Sequence, residues 1–306
     1  MTEGLMSNIS SVQYTHRMIR NNIIHRVTEL VGDTWTLRVI GRLLGGAQRF
    51  DSLANGLEIP RSTLSTRLRM LTAHHCVERK KNESSGETAY ELTEQGRDLL
   101  VLFRQMQQWN QRWDVGGALT ESSAVPNPCG HDAPMRLCCG HCMAPADPRE
   151  LKVLHTHRFP PEVTETATRR ARDLTPSEQQ IQLSAEQLMG DRWTGLILGA
   201  AFFGMHRFSE FEQALGIATN ILTTRLGRLT QQGMLERVQD NTTGERHVYR
   251  LTVRGLSYYP VISASLAWGE RWLDPDYDPG WRVLHVKCVE WFTPVFVCEA
   301  CGTPAS

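Results

Sequence analysis

Cys129, Cys139 and Cys142 precede Cys288, Cys298 and Cys301 by a constant 159 residues, and the offset extends well beyond the cysteines. "GDTWTLRVIGRLLGGAQRF" from Gly32 matches "GDRWTGLILGAAFFGMHRF" from Gly190 at a shift of 158, and "STLSTRLRML" from Ser62 matches "NILTTRLGRL" from Asn220 at the same shift. After one inserted residue near the second wing, "YELTEQG" from Tyr90 matches "YRLTVRG" from Tyr249, and Trp109 and Trp113 match Trp268 and Trp272. A period this long is not that of a solenoid of short units but of a duplicated domain.

The 306 residues give each copy enough chain for its own core. Thirty-three lysines and arginines balance thirty-three acidic residues, so no global field draws the chain to nucleic acid or membrane, and any such binding comes from local patches. The longest apolar run, "WTGLILGAAFFGM" from Trp193, is too short for a bilayer and reads as a buried helix. The N-terminus lacks the basic start and apolar stretch of a signal peptide, which gives the expectation of a soluble cytoplasmic protein with no membrane partner. In a reducing compartment clustered cysteines point to metal ligands or redox pairs rather than structural disulfides.

Within the first copy, apolar spacing over 22–44 predicts two helices punctuated by Gly32 and Gly45-Gly46, and a short helix follows from Phe50 to Leu57. "EIPRSTLSTRLRMLTAHHC" predicts a third, with Pro60 in its first turn and Leu64, Leu68 and Leu71 on one stripe. "VERKK" and "TAYELT" read as two strands around a Gly-containing turn, and a long helix runs from Glu94 to about Trp113. Helices, then a hairpin, then a helix is the winged helix-turn-helix order, whose recognition helix enters the major groove. The fold class expected is mostly α with small β wings (α+β), two tandem winged helix-turn-helix domains each followed by a Cys-rich hairpin.

Candidate DNA-binding residues of the first copy are Arg61, Ser62, Ser65, Thr66, Arg67 and Arg69 on the helix and Arg79, Lys80 and Lys81 on the wing. Arginine reads guanine edges bidentately, while Ser and Thr reach bases or phosphates. Only Glu78 opposes the six cations between Pro60 and Lys81, a net of +5. The second copy offers Thr219, Asn220, Thr223, Thr224, Arg225, Arg237 and Arg246, with a net of only +1 from Ala218 to Arg246. The first copy is therefore expected to bind phosphate more strongly. A run of Ser, Thr and Arg is also what a plain solvated face looks like, and it is its recurrence beside a basic hairpin that favours the DNA reading.

The ordered set "GDxWT…RF…LxxRLxxL", "VER", "YxLTxxG" and a closing "WxxxW" resembles the HxlR-type winged-helix transcriptional regulators, relatives of the MarR type, over nearly all of both copies. The resemblance implies a double-stranded DNA operator and a two-fold dimer made by the terminal helices. Many such regulators respond to oxidants or electrophiles through a cysteine ahead of the first helix, and here "RNNIIHRVTEL" and "EQQIQLSAEQL" contain none. The second departure is the fusion itself, which lets one chain supply both winged helices as a pseudo-dimer.

The domain boundaries expected are 1–142, with a Cys-rich hairpin at about 126–142, a proline-marked linker over 143–175, and 176–306, with its hairpin at about 285–302. His285, Cys288, Cys298 and Cys301 make a His-x2-Cys…Cys-x2-Cys set of the kind that closes a tetrahedral structural zinc site, with "VEWFTPVFV" as a strand-turn-strand between the pairs. In the first copy Pro126 replaces His285; Cys129, Cys139 and Cys142 remain, with His131, Cys138 or His141 as the fourth ligand. The same cysteines also suit a thiol pair that oxidises, or inert packing. Cys76 and the other histidines, among them His74-His75 and His155-x-His157, lack partners at ligand spacing. No phosphate-binding Gly loop, nucleophile elbow or paired catalytic carboxylates are present, so the expectation is a regulator rather than an enzyme, with a non-DNA-binding interaction module as the competing class.

Overall fold

The computed structural model describes residues 23–81, 87–116, 127–155, 183–240, 247–273 and 281–305. The first copy consists of α1 (Ile23–Val31), α2 (Thr34–Leu44), β1 (Gln48–Arg49), α3 (Phe50–Leu57), α4 (Arg61–Ala73), β2 (Val77–Lys81), β3 (Thr88–Leu92), α5 (Glu94–Arg97) and α6 (Leu100–Arg112). β4 (Met135–Cys139) and β5 (Leu151–His155) follow. The second copy repeats the plan with α7 (Ala185–Gly190), α8 (Arg192–Phe202), α9 (Phe208–Leu215), α10 (Thr219–Gln231), β6 (Leu235–Gln239), β7 (His247–Leu251), α11 (Val253–Leu256) and α12 (Tyr259–Trp272), then β8 (Trp281–His285), β9 (Glu290–Trp291) and β10 (Pro294–Cys298). The expected long helix from Glu94 is interrupted at Asp98-Leu99 and becomes α5 and α6.

The shared motifs are the joints of each copy. Asp33 caps α2 by accepting from the Thr36 N–H at 3.2 Å, and Asp191 caps α8 through the Trp193 N–H at 3.2 Å and the Thr194 hydroxyl at 3.0 Å; such caps each contribute about 1 kcal/mol. Thr93 and Thr252 cap α5 and α11, and both also donate to a carbonyl at the start of the wing, that of His75 and that of Gly233. The glycines that close this motif are packing requirements: a Cβ on Gly96 would stand 2.1 Å from the Cys76 carbonyl oxygen, and one on Gly255 2.1 Å from that of Met234. Leu64, Leu68 and Leu71 of α4 and Leu222, Leu226 and Leu229 of α10 are buried, which seats each recognition helix on its core. Cys76 and its counterpart Met234 are core residues, and burial pushes the Cys76 thiol up to about 12.

The two copies interlock. α1 packs on α12 and α8 of the other copy, and α6 packs on α7 and α12. The glycines that begin the two GDxWT motifs meet each other, since a Cβ on Gly190 would lie 2.8 Å from the Gly32 carbonyl oxygen. The WxxxW pairs cross over: Trp109 and Trp113 both donate to Ser257 Oγ (3.1 and 2.9 Å), while Trp268 donates to the Gln95 carbonyl (2.9 Å) and Trp272 to Asp98 Oδ2 (2.8 Å). Asp98 and Ser257 are the same position of the repeat. Arg254 lies over the rings of Trp109 and Trp113, a cation–π contact made across the interface. The terminal-helix surface that the family resemblance assigns to a dimer contact is here packed against the other copy within the chain.

The strands beyond the last helices differ from expectation. β4 pairs antiparallel with β10, and β5 with β8, so each pairing joins the two copies instead of closing a hairpin within one. β9 pairs with β8 and not with β10, which removes the strand-turn-strand expected for "VEWFTPVFV". The physical reason is burial: the β4–β10 pair covers Met135, Leu137, Cys139, Phe296, Val297 and Cys298, whereas an isolated two-stranded hairpin is marginal in water. The expected linker also contributes structure, because β5 lies inside 143–175; residues 156–175 lie outside the described residues.

Candidate nucleic-acid interface and metal centres

On α4, Arg61, Ser62, Ser65, Thr66 and Arg69 are exposed on the face opposite the leucine stripe, as the spacing predicts. Arg67 is not among them. Its guanidinium donates to Asp33 Oδ2 at 2.9 Å, with only 12% of the side chain exposed, and so ties the recognition helix to the capped start of α2. Arg225 repeats this in the second copy: it is buried and pairs with Asp191 Oδ2 at 2.6 Å, with Arg228 at 3.7 Å from the same oxygen. Both arginines sit beside the apolar stripe, where a neighbouring carboxylate offsets their desolvation. Arg67 and Arg225 are therefore corrected from DNA contacts to internal ties.

The exposed face of α10 presents Thr219, Asn220, Thr223, Thr224 and Gly227. It carries hydroxyl and amide groups but no cation, because both arginines of the helix face Asp191. Thr223 and Thr224 donate to the carbonyls of Thr219 and Asn220 at 2.8 Å, and Thr66 to that of Ser62 at 2.9 Å, which leaves these oxygens free to accept.

On the first wing Arg79, Lys80 and Lys81 are exposed, Arg79 stacked over Tyr90 and Lys80 ion-paired to Glu91 and Glu78. The Glu91 partner raises the Lys80 ammonium and Lys80 in turn lowers the Glu91 carboxyl. On the second wing Arg237 is exposed and lies 3.1 Å from His247 Nδ1; Arg246 is outside the described residues.

Six of the eight cysteines and two histidines form two four-residue clusters, and each takes two candidate ligands from each copy. One joins Cys139 and Cys142 to His285 and Cys288; the other joins Cys129 and His131 to Cys298 and Cys301, with the candidate ligand atoms of each cluster within 4.8 Å of one another. This corrects the expected grouping of His285, Cys288, Cys298 and Cys301 in one hairpin, and of Cys129, Cys139 and Cys142 in another. The β4–β10 pairing sends each Cys-x-x-Cys turn to the other copy's remaining pair. His131 is the imidazole that completes the second cluster, and Cys138 and His141 belong to neither.

The Cys-x-x-Cys turns are built alike. The N–H of Met143 donates to the Cys139 carbonyl and that of Gly302 to the Cys298 carbonyl, both at 2.8 Å, and both donors have positive φ. Burial alone would raise the Cys298 thiol, but the N–H groups of Ala300 and Cys301 directed at its sulfur, with Asn127 and Cys129, bring it down to about 6. Cys139 is lowered in the same way, against its burial, by the N–H groups of Cys142 and His141. Backbone donors that favour a thiolate are what a metal-binding turn requires.

The separations fit a tetrahedral ion. With Zn–S near 2.3 Å, adjacent sulfurs stand about 3.8 Å apart. Cys139 Sγ lies 3.9 Å from Cys288 Sγ, and His285 Nδ1 lies 3.5 Å from Cys142 Sγ and 3.1 Å from Cys288 Sγ. His285 thus turns Nδ1 to the cluster, while its buried Nε2 has no hydrogen-bond partner among the described residues, Glu150 Oε2 being 4.0 Å away.

The architecture is that of a two-headed winged helix-turn-helix DNA-binding protein. Comparison with known proteins is consistent: the HxlR-like helix-turn-helix family matches residues 30–116 and again 188–277, together more than half of the chain. The chain belongs to this family, and it is a DNA-binding transcription regulator. It is 38% identical over 118 residues to an uncharacterized HTH-type transcriptional regulator of Mycobacterium tuberculosis, covering 39% of this chain and 75% of that one. It is 32% identical over 93 residues to the HTH-type transcriptional regulator YodB of Bacillus subtilis, covering 30% and 83% respectively. Among solved structures, the reduced form of YodB aligns at 31% identity over 28% of this chain and 85% of that chain, with a TM-score of 0.27.

Proposed function

We propose that a single copy of this chain acts in the cytoplasm as a complete two-headed regulator, with zinc in each cysteine cluster. The exposed faces of α4 and α10 enter successive major grooves of one operator, the wings of both copies hold its phosphates, and the two zinc ions fasten the copies to each other. The observation that carries this reading is the crossed ligand sets: each cluster is incomplete without both copies. The filled α6–α12 surface supports it, since it leaves the family's dimer contact satisfied inside the chain. Thiolates and imidazole in fours suit a closed structural zinc site.

The test is the stoichiometry of the complex on a duplex selected from a random library by the zinc-loaded chain. Native mass spectrometry should show one chain and about two zinc ions per duplex, with affinity falling steeply as salt rises. Two chains per duplex would contradict the single-chain reader. Selection of no duplex would favour an interaction module that has lost DNA binding.

A further inference from the structure

The two clusters share their Cys-x-x-Cys turns but not their other halves. His285 is fully buried at the end of β8, inside the three-stranded β5–β8–β9 sheet. The residues that follow it are held as well, the Val286 N–H donating to the Glu150 carbonyl at 2.9 Å and the Lys287 ammonium facing the Glu150 carboxylate. In the other cluster the imidazole belongs to His131, which is exposed in a segment without strand or helix. Each cluster has one exposed cysteine, Cys142 and Cys301, so the difference lies in the imidazoles; Cys301 also reaches Thr303 Oγ1 at 3.2 Å.

The His131 cluster is connected to the interface between the copies. Asp132, next to His131, accepts from Arg104 Nη2 of α6 at 3.0 Å, and the Arg104 side chain is 10% exposed. Gln105 of the same helix donates to the Met135 carbonyl at 3.3 Å. Asn127 holds the segment from its other end, donating to the Ala133 carbonyl at 2.8 Å and lying 3.5 Å from Cys298 Sγ. α6 is the helix that packs on both α7 and α12. Whatever orders residues 127–134 therefore bears on one of the helices that join the two copies.

We propose that the His131 cluster is an exchangeable zinc site whose filling adjusts DNA binding through Asp132 and Arg104, while the His285 cluster keeps its ion. The inference rests on the zinc and DNA assignments above. A chelator reaches an ion through exposed ligands, and an exposed imidazole on a segment without strand or helix detaches more readily than one buried at the end of a paired strand. Release of zinc leaves two ligands from each copy unbridged and frees the segment that carries Asp132. Free divalent zinc is thus the signal, and α6 is the element that reads it.

The experiment follows zinc release from the loaded full-length chain into excess chelator, with affinity for the selected duplex measured at each stage. The expected result is two ions per chain, one leaving at least about tenfold faster than the other, with DNA affinity dropping at least about fivefold as it leaves. His131→Ala should hold one slow ion and bind DNA at the lowered level from the outset. Arg104→Gln should keep the fast release but lose most of the accompanying change in affinity. Two ions leaving at one rate would overturn the inequality, and so would a fast phase that survives His131→Ala and vanishes in His285→Ala. An affinity unmoved by the first release would overturn the coupling. A chain that takes up no zinc would instead overturn the assignment on which the proposal rests, and one that takes up zinc but selects no duplex would overturn the DNA reading.

Discussion

Leu137 lies opposite Phe296 in the β4–β10 pair, and the two are the same position of the repeat, 159 residues apart. A strand that pairs antiparallel with its own copy at the equivalent residue places a local two-fold axis between them. The flanking contacts obey it: the Gly140 N–H donates to the Thr293 carbonyl at 2.8 Å, and the N–H of its counterpart Glu299 donates to the Pro134 carbonyl at 2.9 Å. A slip by one residue would separate Leu137 from Phe296 and put the two on opposite faces of the pair. The same symmetry delivers each Cys-x-x-Cys turn to the opposite copy.

The arginines of α4 should separate into a structural and a reading residue. Arg67→Ala removes a charge-assisted bond to Asp33 and should lower stability by about 1.5–3 kcal/mol. Arg69→Ala should leave stability unchanged and weaken binding to the selected duplex by about 1–3 kcal/mol, with relaxed preference at one base pair. Urea melts and binding titrations of both variants check this; the reverse pattern would reject the division.

The wings should contribute unequally. Neutralising Arg79 and Lys81 together should flatten the dependence of log K on log salt by about 0.9 for each phosphate that is no longer neutralised. Lys80→Gln should change the slope less, because its ammonium is engaged with Glu91 and Glu78. Arg237→Gln is expected to have a smaller effect than the Arg79 and Lys81 pair. Equal slopes for the two wings would show a symmetric reader.

The interface between copies has a buried polar joint that should be sensitive. Asn110 accepts from the Ala185 N–H at 2.7 Å and donates to Glu186 at 2.9 Å, while Tyr258 donates to the Ala185 carbonyl at 2.9 Å. Asn110→Ala leaves the Ala185 N–H buried without that acceptor and should cost about 1–3 kcal/mol. Its counterpart, Gly269, faces Val27 and Ile23 instead, so Gly269→Asn should destabilise by steric overlap and not restore the joint. Calorimetric melts of the two variants test the asymmetry; an unchanged melting temperature in Asn110→Ala would contradict it.

Much of this was legible in the sequence because local chemistry repeats twice. The duplication, the leucine stripes, the wings and the exposed faces follow from spacing alone. The role of Arg67 was obscured because its side chain is the same as that of Arg69, two residues on. The discriminating signal was internal: Asp33 and Arg67 recur together as Asp191 and Arg225, whereas Arg69 becomes Gly227. Residue pairs retained together in both copies read as contacts within a copy. The crossed clusters were not legible, since either grouping satisfies the same ligand spacings. What decides between them is the burial gained when β4 meets β10, a long-range term that "VEWFTPVFV" cannot report.

The most direct test of the account is the zinc content of a variant altered at one crossed cluster only, Cys139→Ser, Cys142→Ser, His285→Ala and Cys288→Ser together. These four residues come from both copies but line one cluster. Elemental analysis of protein purified without chelator should give about two zinc ions per unaltered chain and about one in the variant, retained by Cys129, His131, Cys298 and Cys301. Ligands grouped within each copy would leave both sites broken, and a variant holding no zinc beside an unaltered chain holding two would contradict the crossed arrangement.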